Sequence, residues 1–144
     1  MKKEIDRFKS WKFPKIKDGI PTEYNWIVQN TSGFKLGYKT DIGSFTYINA
    51  KKGVEINDYV QIGSHCSIYS ISTIDNNSGK VRLMKNCRIG SHTTILPGVT
   101  IGENSIIGAH SLVLKNIPAN VVAFGVPVKI IKSTDIEKVP ISKI

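Results

Sequence analysis

The sequence predicts an all-β fold, a three-sided parallel β-helix, from three observations. Aliphatic residues recur every six positions, small residues lie two positions before them, and a glycine follows them on one side of each coil. Three short strands of about three residues, at roughly 3.3 Å per residue, close a triangular coil with their turns in about eighteen residues. Stacked coils then pair their strands in parallel, about 4.8 Å apart.

The aliphatic residues that lead the hexads fall into groups of three with a spacing of six inside each group. They are Leu36, Ile42 and Ile48; Ile56, Ile62 and Ile68; Leu83, Ile89 and Ile95; and Ile101, Ile107 and Val113. A repeat of fixed period is the sequence signature of a solenoid. Each group therefore predicts one coil, and the chain predicts about four full coils of three short strands.

The positions around the leaders agree with a narrow triangular interior. Small residues stand two positions before the leaders, at Val54, Val60, Cys66, Val81, Cys87, Thr93, Val99, Ser105 and Ser111. On the second side of each coil the residue after the leader is glycine, at Gly43, Gly63, Gly90 and Gly108. We expect these glycines to adopt a positive φ. We expect both cysteines to fill the core, with a reactive thiol as the alternative.

The β-helix is predicted to span residues 35–114 of a single domain of 144 residues. Its segment 69–82, YSISTIDNNSGKVR, is longer than the repeat requires, so we expect an external loop there. A loop held on a rigid scaffold is a common place for functional residues.

Two segments flank the β-helix. Residues 1–34 are predicted as a helical and irregular lead-in, with a short helix within 2–12 and a partial coil that starts within 24–28. Residues 115–144 are predicted to leave the repeat as a C-terminal cap with a basic tail. A strand pair in this cap would cover the open last coil.

Composition restricts the partners. The chain has 20 Lys and Arg against 11 Asp and Glu, a net charge of +9, which favours an anionic partner. The aromatic residues are not interleaved with lysines, so we expect no nucleic acid. No apolar run reaches membrane-spanning length, so we expect no membrane partner. The start, MKKEIDRFKSWKF, lacks the apolar stretch of a signal peptide, and two cysteines do not make a disulfide framework; we expect a cytoplasmic protein.

The segment IGSHTTILPGVTIGENSIIGAHSLVLKNIPANVVAFGVPVKIIK, residues 89–132, is similar to the C-terminal half of galactoside and maltose acetyltransferases. Over residues 36–132 the pattern resembles the hexapeptide-repeat acyltransferases. The resemblance implies a left-handed β-helix, although general crossover rules favour the other hand. It also implies a homotrimer with an active site in each groove between prisms. Acetyl-CoA would lie along the groove, with its thioester towards the N-terminal coils and its nucleotide near the C-terminal cap.

Three histidines follow the leaders of the second side at the same distance and are predicted to stack in one column. They are His65, His92 and His110. In the geometry that the resemblance implies, His65 lies nearest the thioester and next to the 69–82 loop. We predict His65 as the catalytic base and His92 as the second candidate. A stack of polar side chains that only fills a corner is the alternative.

The resemblance also implies a set of cofactor-binding residues, which are Ser91, Ala109, Leu114, Lys115, Lys129 and Lys132. Ser91 and Ala109 match positions whose backbone contacts the pantetheine arm. The three lysines are predicted to supply charge for the phosphates of coenzyme A. Lys129 and Lys132 replace arginines of the galactoside enzyme pattern, so charge is kept and bidentate geometry is lost. A solvated basic tail is the alternative.

The loop departs from the pattern of the O-acetyltransferases that the chain resembles. Those enzymes carry a loop histidine, and positions 71 and 73, where it would fall, hold Ile and Thr. An alcohol needs a base to remove its proton, whereas a neutral amine already has a free lone pair. We therefore predict N-acetylation of an amino sugar, nucleotide-linked, for surface glycan biosynthesis. Asp75, Asn76 and Asn77 are candidate acceptor contacts, and a polar turn is the alternative.

Other functions remain as alternatives. The first is a saccharide O-acetyltransferase. A carbonic anhydrase of the gamma type shares the fold that the resemblance implies, but its zinc histidines include a close pair. The histidines here are 27 and 18 residues apart in one column, so we expect no metal. A non-catalytic β-helix scaffold is disfavoured by the match through GVPVKIIK.

Overall fold

A computed structural model describes residues 8–133 and confirms the all-β prediction. Within these residues, the regular structure consists of short strands and one turn of 3-10 helix at Thr31–Gly33. The strands are β1 Ile27–Gln29, β2 Phe34–Leu36, β3 Asp41–Ile42, β4 Tyr47–Asn49, β5 Val54–Ile56, β6 Gln61–Ile62, β7 Ser67–Tyr69, β8 Ile71–Ser72, β9 Asn77–Ser78, β10 Val81–Leu83, β11 Arg88–Ile89, β12 Thr94–Ile95, β13 Thr100–Ile101, β14 Ile106–Ile107, β15 Leu112–Val113, β16 Val121–Gly125 and β17 Val128–Ser133.

The strands form the three faces of a parallel β-helix. The first face consists of β2, β5, β10 and β13, and the third consists of β1, β4, β7, β12 and β15. The second face consists of β3, β6, β11, β14 and β16, with β17 antiparallel at its end. On every face the predicted leaders pair with one another; on the second face, for example, Ile42 pairs with Ile62, Ile62 with Ile89 and Ile89 with Ile107. The predicted assignment of hexads to sides is confirmed.

The β-helix extends at both ends beyond the four predicted coils. Val28 pairs with Ile48, which confirms the partial coil at the N-terminal end. Beyond residue 114 the repeat continues, because Ile117 bridges Ile101 and Ala123 pairs with Ile107. The point where the chain was expected to leave the repeat is a shortened turn after β15: Val113 and Ile117 are four residues apart, whereas Ile117 and Ala123 are again six apart. The β-helix has about five turns.

The two ends are closed differently. At the C-terminal end β16 and β17 form an antiparallel pair, which confirms the predicted strand pair of the cap. At the N-terminal end residues 8–10 form a turn, and the rest of the predicted helix within 2–12 either lacks helical structure or lies outside the described residues. Trp11 Nε1 donates a hydrogen bond to the carbonyl of Thr40 at 2.8 Å, which fastens the lead-in to the first coil. Within residues 8–133, no helix is long or apolar enough to cross a membrane.

The interior is built from the leaders and the small residues that precede them. Every predicted small interior residue is buried, including Cys66 and Cys87, and so is every leader except Leu36, which is half-buried in the first coil. Burial in apolar surroundings raises the pKa of both thiols, which disfavours the reactive thiolate. The core-filling role predicted for the cysteines is confirmed. The hydroxyl of Ser111 donates to the carbonyl of Gly108 at 2.7 Å, so this buried polar group is paired.

The glycines of the second side serve a different purpose from the one predicted. None of the four has a positive φ; the left-handed residues at this corner are Phe45, His65, His92 and His110, with φ of 65°, 58°, 59° and 56°. The glycines are required by the closeness of the next coil. A Cβ on Gly90 would lie 2.4 Å from the backbone nitrogen of Ala109, and one on Gly63 would lie 2.6 Å from that of Ser91.

Gly90→Ala is expected to destabilise the protein by about 3 kcal/mol, because the clash is with the backbone of the next coil and is relieved only by moving the two coils apart. The matched control is Gly98→Ala, where a Cβ meets nothing within 4 Å and only the φ of 83° is unfavourable. That change should cost about 1–2 kcal/mol. Urea unfolding of both variants measures the difference, and equal losses would contradict the packing explanation.

Candidate active site

Four rings stack along the edge where the second and third faces meet. The ring centroids of Phe45 and His65 are 5.1 Å apart, those of His65 and His92 4.8 Å, and those of His92 and His110 4.6 Å. The imidazoles are almost parallel, with angles of 3° and 12° between successive planes. The predicted histidine column is confirmed.

The backbone places these rings, because each column residue is bonded to the coil before it. The amide of His65 donates to the carbonyl of Ser44 at 3.0 Å, that of His92 to Ser64 at 3.0 Å, and that of His110 to Ser91 at 2.9 Å. Histidine is among the few residue types that tolerate the left-handed conformation of this corner. The column forms an outward-facing ridge of titratable groups, which we call the histidine ridge.

A strip of small residues runs beside the ridge. Ser64, Ser91 and Ala109 each precede a column histidine, and the glycines of the second face lie directly before them. Gly125 continues the strip at the cap, where its amide donates to the hydroxyl of Ser111 at 3.1 Å. Gly90 and Gly108 are buried, Ser64 and Ser91 are half-buried and Ala109 is exposed, so the surface beside the ridge is made of small side chains. An extended molecule can lie along these small side chains, parallel to the axis of the coil.

The remaining predicted cofactor residues lie in two places. Lys129 and Lys132 are on β17, paired with Phe124 and Val122 of β16, at the end of the sheet that borders the ridge. Both lysine side chains are exposed. Leu114 and Lys115 follow β15, so they lie at the edge where the third face meets the first. Within one chain the structure brings Ser91, Ala109 and the β17 lysines to the same side of the prism and places Leu114 and Lys115 on another edge.

The external loop is a β-hairpin of β8 and β9, which leaves the prism after β7 and returns at β10. At its tip Asp75 Oδ1 accepts a hydrogen bond from the amide of Asn77 at 3.2 Å, and Asn76 has a φ of 54°. These are the features of a polar turn. The tip is exposed; Ile74 has 96% of its surface accessible.

The hairpin and the histidine ridge occupy different edges of one prism. His65 precedes β7 and the hairpin follows it, so the third face separates them. Within a single chain Asp75, Asn76 and Asn77 therefore do not lie beside His65, which corrects the expectation from sequence.

Sequence reasoning missed a cleft at the N-terminal end of the ridge. It has a volume of about 950 Å³ and lies between residues 8–15 and the first coil, where residues 23–26 and 40–44 line it. Both tryptophans of the chain, Trp11 and Trp26, are among the lining residues. The sequence signal was the aromatic and lysine-rich run KSWKFPK, which has no place in the repeat.

The described residues offer no ready metal centre. Among residues 8–133, no three His, Cys, Asp or Glu side chains are grouped so that they could hold a metal ion. Stacked imidazoles present their nitrogens side by side, whereas zinc ligands converge on one point.

Comparison with known proteins agrees with this fold. The family described as "Bacterial transferase hexapeptide (six repeats)" matches residues 80–115. A putative acetyltransferase of Staphylococcus aureus (strain Mu50 / ATCC 700699) is 32% identical over 139 residues, which are 93% of this chain and 70% of the relative. The galactoside O-acetyltransferase of Escherichia coli (strain K12) is 58% identical over 52 residues, 36% of this chain. The match covers 26% of that relative's own length.

Solved structures give the same result. The maltose O-acetyltransferase from Clostridium difficile 630 superposes with a TM-score of 0.70 and 30% identity, over 77% of this chain and 64% of that one. A point mutant of AntD, an N-acyltransferase from Bacillus cereus, in complex with dTDP-4-amino-4,6-dideoxyglucose and coenzyme A, superposes with a TM-score of 0.56 and 28% identity, over 77% of this chain and 71% of that one. The fold is thus the left-handed β-helix of acetyltransferases. This chain belongs to the bacterial hexapeptide-repeat transferase family.

Proposed function

We propose that this protein transfers an acetyl group from acetyl-CoA to the amine of a nucleotide-linked amino sugar, in the cytoplasm and for surface glycan biosynthesis. The observation that carries the proposal is the histidine ridge in register with the strip of small residues beside it. A linear thioester carrier needs such a strip, and the chemistry at its end needs a titratable group.

The strip and the cap supply the carrier site. The pantetheine arm lies beside Ser91 and Ala109, and the phosphates lie towards Lys129 and Lys132 on β17. Lysines act on phosphates as point charges. This orientation places the thioester at the N-terminal coils, beside His65. The complex of AntD with coenzyme A supports a carrier site on this fold.

We also propose a homotrimer, because one chain holds its site residues on two edges. A neighbouring prism against the third face would bring its hairpin, and also Leu114 and Lys115, towards the histidine ridge of the first. Asp75, Asn76 and Asn77 then contact the acceptor from the neighbouring subunit. The carboxylate of Asp75 suits an ammonium or a hydroxyl group.

The hairpin favours an amine acceptor. It has no histidine in the described stretch between β8 and β9, so the base that a sugar hydroxyl requires is absent there. An amine needs only positioning and a way to lose its proton. The amino-sugar ligand of AntD supports this acceptor class.

The transfer balances without a further reactant. The neutral amine attacks the thioester carbon, the carbon–nitrogen bond forms, and the carbon–sulphur bond breaks. His65, with His92 behind it in the stack, accepts the proton that the nitrogen loses, and the departing sulphur takes up a proton to leave as the thiol. A backbone amide of the strip donates to the oxyanion.

The second candidate is O-acetylation of a saccharide. It is favoured by the galactoside and maltose O-acetyltransferases to which the chain is similar. In that case His65 would be the base that activates the hydroxyl.

Thiol release from acetyl-CoA, measured with a panel of free and nucleotide-linked amino sugars and their hydroxyl analogues, separates the two candidates. We expect turnover with amines at least tenfold above that with hydroxyls. His65→Asn, which keeps a residue that tolerates the left-handed corner, is expected to lower kcat on the amine by about a hundredfold. The matched control His110→Asn lies at the other end of the ridge and should change kcat less than about twofold.

Turnover that is confined to hydroxyl acceptors and abolished by His65→Asn would contradict the amine assignment and support the O-acetyltransferase. Equal effects of the two histidine variants would remove the catalytic role of His65 and leave the ridge as a structural stack.

The double variant Lys129→Ala/Lys132→Ala is expected to raise the KM for acetyl-CoA about five- to tenfold with little change in kcat, because exposed charge pairs contribute about 0.2–1 kcal/mol each. The difference from the wild type should shrink with acetyl-dephospho-CoA, which lacks the ribose phosphate. Lys35→Ala/Lys85→Ala removes the same charge from the first face and from the edge where it meets the second, and is the control. A rise of the same size in that control would contradict the assignment.

A further inference from the structure

We propose that the cleft between residues 8–15 and the first coil is the binding site of the acceptor, and that it takes a nucleoside-diphosphate amino sugar. The amine end of this inference rests on the proposed function; the nucleotide end rests on the cleft alone. The volume of about 950 Å³ lies in the range of small-molecule sites.

The cleft opens onto the start of the histidine ridge. Asn25 lines the cleft and occupies, one coil earlier, the same left-handed corner as Phe45, with a φ of 63°. Its carbonyl accepts a hydrogen bond from the amide of Phe45 at 2.6 Å. Ser44, also in the lining, donates through its hydroxyl to the carbonyl of Tyr24 at 3.1 Å. From the cleft, the stack runs through Phe45 to His65 and then to His92. One end of a ligand held in the cleft is therefore separated from His65, where the thioester is expected, by the ring of Phe45.

One side of the cleft is basic and aromatic. The segment 9–17 carries four lysines and no acidic residue, and Lys12 and Lys15 line the cleft. Neither of these two makes an ion pair with a described residue. The rings of Trp11 and Phe13 meet edge to face with centroids 4.8 Å apart, and Phe13 is 62% exposed. Lysines for a pyrophosphate and an exposed ring for a base are the two groups that a nucleotide requires.

The other side of the cleft carries carboxylates. Glu23 and Asp41 line it. A hydrogen bond with the carboxylate of Glu23 raises the pKa of Tyr24, whose ring is also exposed at the rim. The two sides therefore carry opposite charge. A nucleoside-diphosphate amino sugar has the same distribution, with an anionic pyrophosphate at one end and an ammonium group on the sugar.

Binding in the cleft can be measured by intrinsic tryptophan fluorescence. Because Trp11 and Trp26 are the only tryptophans of the chain and both line the cleft, a ligand bound there changes the intrinsic fluorescence directly. UDP titrated into the intact protein is expected to give a saturable change in tryptophan fluorescence. Trp11→Phe keeps an aromatic ring and should remove most of that change.

Charge variants test the two ends of the ligand separately. Lys12→Ala/Lys15→Ala is expected to weaken UDP binding about tenfold. The control Lys35→Ala/Lys85→Ala, an exposed pair on the first face and at its edge with the second, should change UDP binding less than about twofold. UDP-glucosamine is expected to bind about fivefold more tightly than UDP-glucose, and Glu23→Gln should remove this preference.

Three results would overturn the inference. The first is equal weakening by both lysine pairs, which would mean unspecific charge attraction. The second is UDP binding detected by calorimetry without a change in fluorescence. The third is that coenzyme A competes with UDP for binding, seen as loss of the UDP-induced fluorescence change, which would mean that the cleft binds the acetyl carrier.

The outcome is independent of the proposed reaction. If no amino sugar is acetylated but UDP binding keeps its dependence on Lys12 and Lys15, the cleft assignment stands and the proposed function fails. If amino sugars are acetylated while UDP and UDP-glucosamine leave the fluorescence unchanged, the proposed function stands and the cleft assignment is overturned.

Discussion

The in-register stacking of the coils is the constraint on which the rest of this protein depends. Each strand pairs with the same side of the next coil, as Ile62 does with Ile89 and Ile89 with Ile107. A side chain at one position of the repeat is thereby placed directly over its counterpart, about one strand spacing away. The histidine ridge, the strip of small residues beside it and the small interior residues are all columns of this kind.

Close stacking restricts the backbone, and at one corner of the prism this restriction selects two residue types, glycine and histidine. The glycines of the second face are needed because the next coil leaves no room for a Cβ, as the 2.4 Å approach at Gly90 shows. The turn itself falls two residues later, on residues such as His92 with its φ of 59°. Asn serves the same turn at another corner, where the side-chain amide of Asn86 donates to Asn104 at 2.9 Å and that of Asn104 donates to Asn120 at 3.1 Å. The ridge therefore combines a structural requirement, tolerance of the left-handed region, with outward-facing titratable rings.

Much of this architecture could be predicted from sequence, because a period of six fixes which residues share a side. The pairing of the leaders, the burial of Cys66 and Cys87 and the column of His65, His92 and His110 all follow from that period. The continuation through Ile117 and Ala123 did not, because one shortened turn breaks the spacing while hydrogen bonds keep the side. The cleft could not be predicted either, since it is formed by a lead-in without a repeat and by a coil that lies far from it in the chain. The separation of the hairpin from His65, in contrast, follows from the sequence, because His65 precedes the third-side leader Ile68 and the 69–82 loop follows it.

The most direct test of the central claim is a structure of the protein with coenzyme A bound. This account predicts that the pantetheine arm lies parallel to the coil axis beside Ser91 and Ala109, with its thiol at the end where His65 stands and its phosphates near β17. A carrier bound across the first face, or with its thiol at the cap, would contradict the role assigned to the stacked columns.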